Sequence, residues 1–443
     1  MVLRTKTFHN FNELQDFIAA HNIALFTSSK TSTVIPYDKI ESLMEGHKVT
    51  VADLSQLPKK LSMSKDGHLI VRGGVTWDEA KDFLHNHKRS LKTYPTEVLA
   101  TITAGVATSC TGERSFGFGN LRKQIVRLKY MNFEGHEIEL RRDQLLSELH
   151  PEAKKLIEDY ANDFNQYRNF KNAPYPRFEQ ATDLMVGSEG QLGIVTEVEM
   201  ETAGLENVQY MFMLLPSWED NFEPHLELHQ LVQQYRGKIL SCELVDHTSI
   251  SFLAKEDRLG NKQDVIFIEM KGEHFDEVYS AFLEKLKLIH DDSMFEIKES
   301  RFHHIRASVP RRIFEENSRA GVVKMGTDVQ VSTSHFKDLL QFYREARKVG
   351  IAYNLFGHFG DAHLHFNFMP RPNELAPCQE YFHQLYQKVL EWKGSPFAEH
   401  GIGFLKKNYI KPFQGENEIK LFRYLKKQYD PHLQFFPQGF MNV

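Results

Sequence analysis

Gly187-Ser188-Glu189-Gly190-Gln191-Leu192-Gly193 runs straight into Ile194-Val195-Thr196-Glu197-Val198-Glu199-Met200. Glycine at 187, 190 and 193 lets the backbone turn sharply or approach a neighbour closely, so the first half reads as a tight loop. The β-branched, alternating second half reads as a strand. Upstream, residues 68–72 form another strand ending at Gly73-Gly74, and Thr76 caps a helix through Trp77, Ala80 and Leu84. From Tyr94 to Gly119 small residues again dominate, which predicts backbone held close to something. Alternation resumes over 125–131, and Glu134-Gly135 turns a hairpin into 138–140. The chain opens with a helix over 12–21, a strand over 23–26 and a polar loop over 27–33. The charge-rich helical stretch 145–170 reads as an insertion or surface excursion.

After Ala203-Gly204 the texture changes. Strand-like runs at 209–215, 265–270 and 321–332 alternate with amphipathic helices at 218–234, 275–290 and 334–349. This predicts a second α+β domain with an antiparallel sheet and a boundary near residue 204.

The 443 residues are enough for two or three domains, and 26% charged with 41% hydrophobic residues is a globular balance. Fifty-four basic against 59 acidic side chains argue against a nucleic-acid binder that works through bulk positive charge. Cys110, Cys242 and Cys378 are too scattered for a thiolate zinc site or a disulfide framework, so a reducing, cytoplasmic setting is expected. No stretch approaches the length of an apolar membrane span; peripheral membrane association leaves no such trace. A homodimer is the expectation for oligomeric state.

Three groups of residues carry chemistry. Gly357-His358-Phe359-Gly360-Asp361-Ala362-His363-Leu364-His365 and Ala398-Glu399-His400-Gly401-Ile402-Gly403 bring imidazoles and a carboxylate. A borderline divalent metal prefers those ligands, and His358, His365 and Glu399 make a two-histidine, one-carboxylate set with open positions. The same histidines also read as satisfied core or surface residues, and spacing does not separate the two. Arg306, with Lys324 and Asp328 nearby in sequence, offers a planar fork suited to a carboxylate, although an arginine shortly before a proline is more often a solvated cation. Finally, the loops 27–33, 95–112 and 187–193 present backbone N–H groups with little side-chain obstruction, as a bulky anionic cofactor requires. No G-x-G-x-x-G follows the first strand and no P-loop is present, which disfavours Rossmann and P-loop nucleotide sites.

The 187–197 run, the 357–365 run and Glu399-His400-Gly401-Ile402-Gly403 resemble motifs of the FAD-linked oxidases of the vanillyl-alcohol oxidase/p-cresol methylhydroxylase (PCMH) superfamily. The branch most similar holds the cytochrome-type D-lactate dehydrogenases, D-2-hydroxyglutarate dehydrogenases and the glycolate oxidase large subunit. The resemblance extends from about Leu69 to the end, where Tyr429-Asp430-Pro431 and Pro437-Gln438-Gly439 match the closing segment. It implies an α+β fold: a two-subdomain PCMH-type FAD-binding domain over 1–204, a substrate cap domain with an antiparallel sheet over 205–397, and a segment over 398–443 returning to the FAD domain.

By the same resemblance, Ser28, Ser29, Lys30, Thr31 and Ser32 fall in the first phosphate loop. Pro95, Thr96, Thr101, Ala104, Gly105, Thr108 and Gly112 fall beside the flavin and pyrophosphate, with Gly190 and Ile194 near the flavin. Arg306, with Lys324, falls on the substrate-carboxylate site, His358, His365 and Glu399 on the divalent-metal ligands (zinc, manganese or iron), and His400 on the catalytic base. The implied activity is oxidation of a D-2-hydroxy acid to the 2-oxo acid by hydride transfer to FAD, with an unidentified electron acceptor. Alternatives are another alcohol or sugar substrate, a degenerate partner subunit, or a flavin-free zinc hydrolase using His363 and His365. Three departures stand out: the first loop has no glycine, Ala362-His363 replaces the usual Gly-Asn, and Ala398 replaces a Gly. The first loop also lacks the histidine or cysteine of covalent relatives, so the expected FAD is non-covalent.

Overall fold

The computed structural model describes residues 4–44, 49–205, 207–260 and 262–443. The chain divides into two units: the first holds residues up to Gly112, Asn120–Leu205 and Glu399–Val443, the second Glu113–Gly119 and the stretch ending at Ala398.

In the first unit, Arg4–Thr7, Thr50–Asp53 and Ala24–Thr27 form a parallel three-stranded sheet with Thr50–Asp53 in the middle. A second, antiparallel sheet runs Lys60–Met63, Leu69–Arg72, Ile194–Met200, Ile125–Met131, Glu137–Arg141. Its central strand, Ile194–Met200, is buried throughout. Glu197 and Glu199 are tolerated there because Arg127 donates to both, at 3.0 and 2.6 Å. The helix Trp77–Asn86 starts as its sequence dictates, with Thr76 and Glu79 forming a reciprocal capping box.

The stretch 145–170 is no surface excursion. Helix Lys154–Phe164 buries Ile157, Tyr160 and Phe164, and Tyr160 and Tyr175 meet Phe422 of helix Glu416–Tyr429 ring to ring. Its charges lie on the outer face of an amphipathic helix whose partner is some 260 residues away in sequence, so local composition hid the buried face. The closing segment is stitched in as well: Phe436 N–H donates to Ala24 O (3.0 Å), Ala24 N–H to Gln434 O (2.9 Å), and Met441 N–H to Gln191 Oε1 (2.9 Å).

In the second unit one antiparallel sheet of seven strands runs Met294–Glu296, Val208–Leu215, Asp264–Lys271, Ile239–Val245, Tyr353–His358, His363–Phe368, Met325–Gly326. The 321–332 run contributes only Met325–Gly326 as a strand; Gln330 beyond it makes isolated bridges to His363 and Ser395. Helix Glu299–Arg319 was not anticipated, because Pro310 sits inside it. The ring removes the N–H that would bond the Arg306 carbonyl four residues back, yet burial of Phe302, Ile305, Val309 and Ile313 holds the helix. Glu113–Gly119 joins this unit through Arg114, whose fork donates to Glu269 at 2.7 and 3.0 Å.

Candidate active site

In the first unit the strand Ala24–Thr27 releases the chain into the glycine-free loop. Ser29 (φ 41°) and Lys30 (φ 52°) both adopt the left-handed conformation that glycine would take, and Lys30 N–H turns back onto Ser28 O. Left-handed backbone costs a residue with a Cβ about 1–2 kcal/mol. The loop therefore keeps a tight turn without the residue that makes it cheap. The hydroxyls of Thr27 and Ser28 are buried without a protein partner, and so are those of Thr93, Thr101 and Thr111 and the Trp77 indole N–H. Each such orphan costs about 1–3 kcal/mol unless something bonds it. Two other hydroxyls are used locally: Thr108 donates to Ala104 O (3.2 Å), and Ser32 accepts from Val34 N–H (3.4 Å).

The glycines in this region differ in purpose. A Cβ on Gly112 would strike the Tyr94 carbonyl, and one on Gly105 would meet Cys110 Sγ at 2.7 Å and the Trp77 ring at 2.9 Å, so both permit close packing. Gly190 has room for a Cβ and is required for its φ of 70°. Its neighbour Glu189, which sequence reasoning passed over, ties two motifs together. Its N–H donates to Ala107 O (2.8 Å), while its carboxylate accepts from Ile402 N–H (2.5 Å) and Gly403 N–H (3.0 Å), just after His400. Burial raises its carboxyl pKa against the pull of those two N–H groups. An acid among loop glycines was the available signal. Glu399 lies close enough to Cys110 that its charge adds to burial in pushing that thiol's pKa up.

In the second unit the hairpin register sets His358 opposite His363, and His363 and His365 share a face two residues apart. Ring centroids lie 5.1 Å apart for His358 and His363, 4.7 Å for His363 and His365, and 5.6 Å for His358 and His365. Each ring donates from one nitrogen to an oxygen: His358 Nδ1 to Glu243 (3.0 Å), His363 Nε2 to Asp328 (3.1 Å), His365 Nδ1 to Thr327 O (3.2 Å). That pattern orients metal-bound imidazoles. Gly357 is needed here, since a Cβ would meet His365 Cδ2 at 2.9 Å. Ala362 holds φ 50° in the turn.

The turn Phe359–Asp361 is gripped by helix Glu223–Gln233. His229 Nδ1 donates to Phe359 O (3.0 Å), Gln233 to Gly360 O (2.7 Å), and Arg236 to Asp361 Oδ1 (3.1 Å), while Ser115 donates to Asp361 Oδ2 (3.0 Å). Burial pushes His229 down to about 4, so it is the neutral ring that donates.

Arg306, in the middle of helix Glu299–Arg319, reaches the same neighbourhood within the unit. Its guanidinium pairs with Glu113 and stands 3.5 Å from Glu243, the carboxylate that also holds His358. Sequence reasoning found Arg306 but not Glu113 or Glu243, because both lie on distant segments. Lys324 is exposed and immediately precedes Met325–Gly326. Glu399 and His400 open the last segment of the first unit, directly after Ala398, whose N–H donates to Asp328 O (2.9 Å).

The profile of the family described as "FAD linked oxidases, C-terminal domain" matches residues 205–438, and that described as "FAD binding domain" matches 3–141. The chain belongs to the FAD-linked oxidases. Among relatives, the mitochondrial cytochrome-type D-lactate dehydrogenase of Kluyveromyces lactis is 23% identical over 420 residues, covering 90% of this chain and 67% of that protein. The mitochondrial D-2-hydroxyglutarate dehydrogenase of Danio rerio is 27% identical over 352 residues, covering 74% of this chain and 58% of its own. The chain thus spans roughly three-fifths to two-thirds of the length of these relatives. A solved structure of alkyldihydroxyacetonephosphate synthase superposes with a TM-score of 0.68 at 14% identity, covering 97% of this chain and 75% of that one. The α+β, PCMH-type architecture is therefore that of the FAD-linked oxidases. No helix among the described residues is long and apolar enough to cross a membrane.

FAD, the group this family binds, fits what the first unit offers. All the orphaned hydroxyls named above, Thr27, Ser28, Thr93, Thr101 and Thr111, lie inside the matched FAD-binding region, and a polyanionic, acceptor-rich ligand would satisfy them. A divalent cation fits the second unit's donors, because imidazoles held through one nitrogen by oxygen acceptors are how proteins present borderline-soft ligands.

Proposed function

We propose that this chain oxidises a D-2-hydroxy acid to the corresponding 2-oxo acid. The observation that carries the reading is the line from buried His358 through buried Glu243 to half-buried Arg306, which joins an imidazole cluster to a carboxylate-binding fork within one unit. The D-lactate and D-2-hydroxyglutarate dehydrogenase names of the relatives supply the substrate class. Bound FAD supplies a two-electron acceptor, and a bound divalent cation a Lewis acid that makes an alcohol more acidic.

The chain's own residues do the rest. Arg306, assisted by Lys324, holds the substrate carboxylate and so fixes which face of the α-carbon is presented. His358, His365 and Glu399 hold the cation. His400 accepts the hydroxyl proton, a task suited to an imidazole near neutrality, while the α-hydrogen leaves with its electron pair. The clamp of Glu189 on the Ile402 and Gly403 N–H groups keeps the His400 backbone in one place. Ser28 to Ser32, Pro95, Thr96, Thr101, Ala104, Gly105, Thr108, Gly112, Gly190 and Ile194 hold the FAD without a covalent bond. In this reading 1–204 with 398–443 carry the cofactor and 205–397 the substrate.

The test is the visible spectrum of the purified protein during anaerobic addition of D-lactate, D-2-hydroxyglutarate and glycolate. Bleaching of the oxidised flavin band by one of them, abolished in His400→Ala, is the expected result. Unchanged turnover of every 2-hydroxy acid in His400→Ala overturns the assignment of the base. A colourless protein that cannot be reconstituted with FAD overturns the reading as a whole.

A further inference from the structure

His363 occupies a position at which the resemblance leads one to expect asparagine, and its surroundings are unlike those of an incidental core histidine. It is fully buried, as is the Asp328 carboxylate that accepts its Nε2–H at 3.1 Å. Two further imidazoles flank it, His358 across the hairpin and His365 two residues along the same face. Within the second unit the described residues include one group of possible ligand atoms all within 4.8 Å of one another, and it is Asp328, His363 and His365. A buried carboxylate–imidazole pair beside two more imidazoles is costly to assemble for packing alone. It is the standard means by which proteins orient a metal-binding ring and raise its basicity.

We infer that His363 is a third imidazole ligand of the cation centre, with Asp328 as the carboxylate that orients it. The centre is then nitrogen-rich rather than a two-histidine, one-carboxylate set, and it selects a borderline transition-metal dication such as Zn²⁺ or Co²⁺ over Mg²⁺ or Ca²⁺. This rests on the metal part of the function proposed above and adds a ligand to it. Asp328 sits on the segment whose Thr327 carbonyl holds His365, so one stretch of backbone sets two of the three rings.

The experiment is metal titration of the full-length, FAD-loaded protein after chelator stripping, with Zn²⁺ read by competition against a chromophoric chelator. Co²⁺ is read by its d–d bands at wavelengths longer than flavin absorption. Expected are binding by the wild type, a loss of about 100-fold in His363→Asn with a changed Co²⁺ spectrum, and a loss of about tenfold in Asp328→Asn. Wild-type binding with unchanged affinity and spectrum in His363→Asn overturns this inference and leaves the proposed function standing. A wild type that binds neither cation overturns both. X-ray absorption of the zinc-loaded wild type needs no variant: scattering from three imidazoles is expected, and from two it overturns the inference even where His363→Asn fails to fold.

Discussion

Glu113→Gln tests whether Arg306 is held in reserve by the protein's own carboxylate. Arg306 and Glu113 form a close pair whose side chains are 14% and 21% exposed, while the second carboxylate, Glu243, is 2% exposed and stands 3.5 Å from the other guanidinium nitrogen. A substrate carboxylate that binds this fork has to displace Glu113, the more accessible of the two, and overcome its repulsion. A hydrogen bond to a charged group contributes about 1.5–3 kcal/mol. Glutamine keeps the shape and an amide oxygen but gives up the charge, so about 1.5–2 kcal/mol of that competition disappears, a factor of roughly 10–30 in substrate affinity. Steady-state kinetics with an artificial acceptor would then show KM for D-lactate or D-2-hydroxyglutarate falling by about that factor with kcat little changed. The salt dependence of KM would steepen as well, since a fork no longer neutralised by Glu113 is open to competing anions. A KM within about twofold of wild type, or one that rises, refutes the idea that Glu113 shields Arg306.

Other predictions concern stability and cofactor retention. Burial, aided by the neighbouring Asp264 charge, raises Asp246 from 3.8 to about 6. The native state therefore keeps a proton that the unfolded chain gives up, and that contribution is lost as pH rises through 6. Relative to Asp246→Asn, which keeps an acceptor for Ser249 N–H, the wild type should lose about 2 kcal/mol between pH 4 and pH 7, readable by urea denaturation at the two values. Arg114→Ala takes both guanidinium bonds from the buried Glu269 carboxylate, to which Ser241 also donates (3.1 Å), and a destabilisation of about 3–5 kcal/mol is expected by the same assay, largely recovered by adding Glu269→Gln. Ser29→Gly relieves a left-handed residue and should stabilise the protein by about 1 kcal/mol in thermal unfolding with FAD affinity undiminished; lower stability would mean that the Ser29 side chain does more than tolerate its backbone.

What the sequence revealed depended on how local the deciding interaction was. The hairpin after Met131 was readable because Gly135 sits at φ 81° in a turn that only short-range chemistry governs, and the helix after Thr76 because its cap and Glu79 are three residues apart. Helix Glu299–Arg319 was hidden by Pro310, whose cost is met by apolar contacts to the sheet. The 321–332 run alternates like a strand, yet most of it finds no ladder partner. The site divides in the same way. His358, His363 and His365 stood out by spacing alone, and Arg306 by its likeness to a known pattern. Their partners Glu243, Asp328 and Glu113 are ordinary acids in sequence and acquire meaning only when the sheet brings them 35 to 193 residues closer. Glu189 was visible as a loop residue, but its role depends on backbone more than 200 positions downstream.

The grip of helix Glu223–Gln233 on the 359–361 turn makes the cation site subject to a counting rule. His229 and Gln233, one helical turn apart, meet successive carbonyls, Phe359 and Gly360. Each residue of an α-helix advances the side chain by about 100° around the axis, so inserting or deleting one residue between them leaves only one of the two carbonyls with its donor. Point changes on the outer face of this helix leave the phase untouched. Length variation among relatives is thus expected to fall before or after the helix and never within it, and the precision of the histidine cluster is inherited from the pitch of a helix that contributes no ligand of its own.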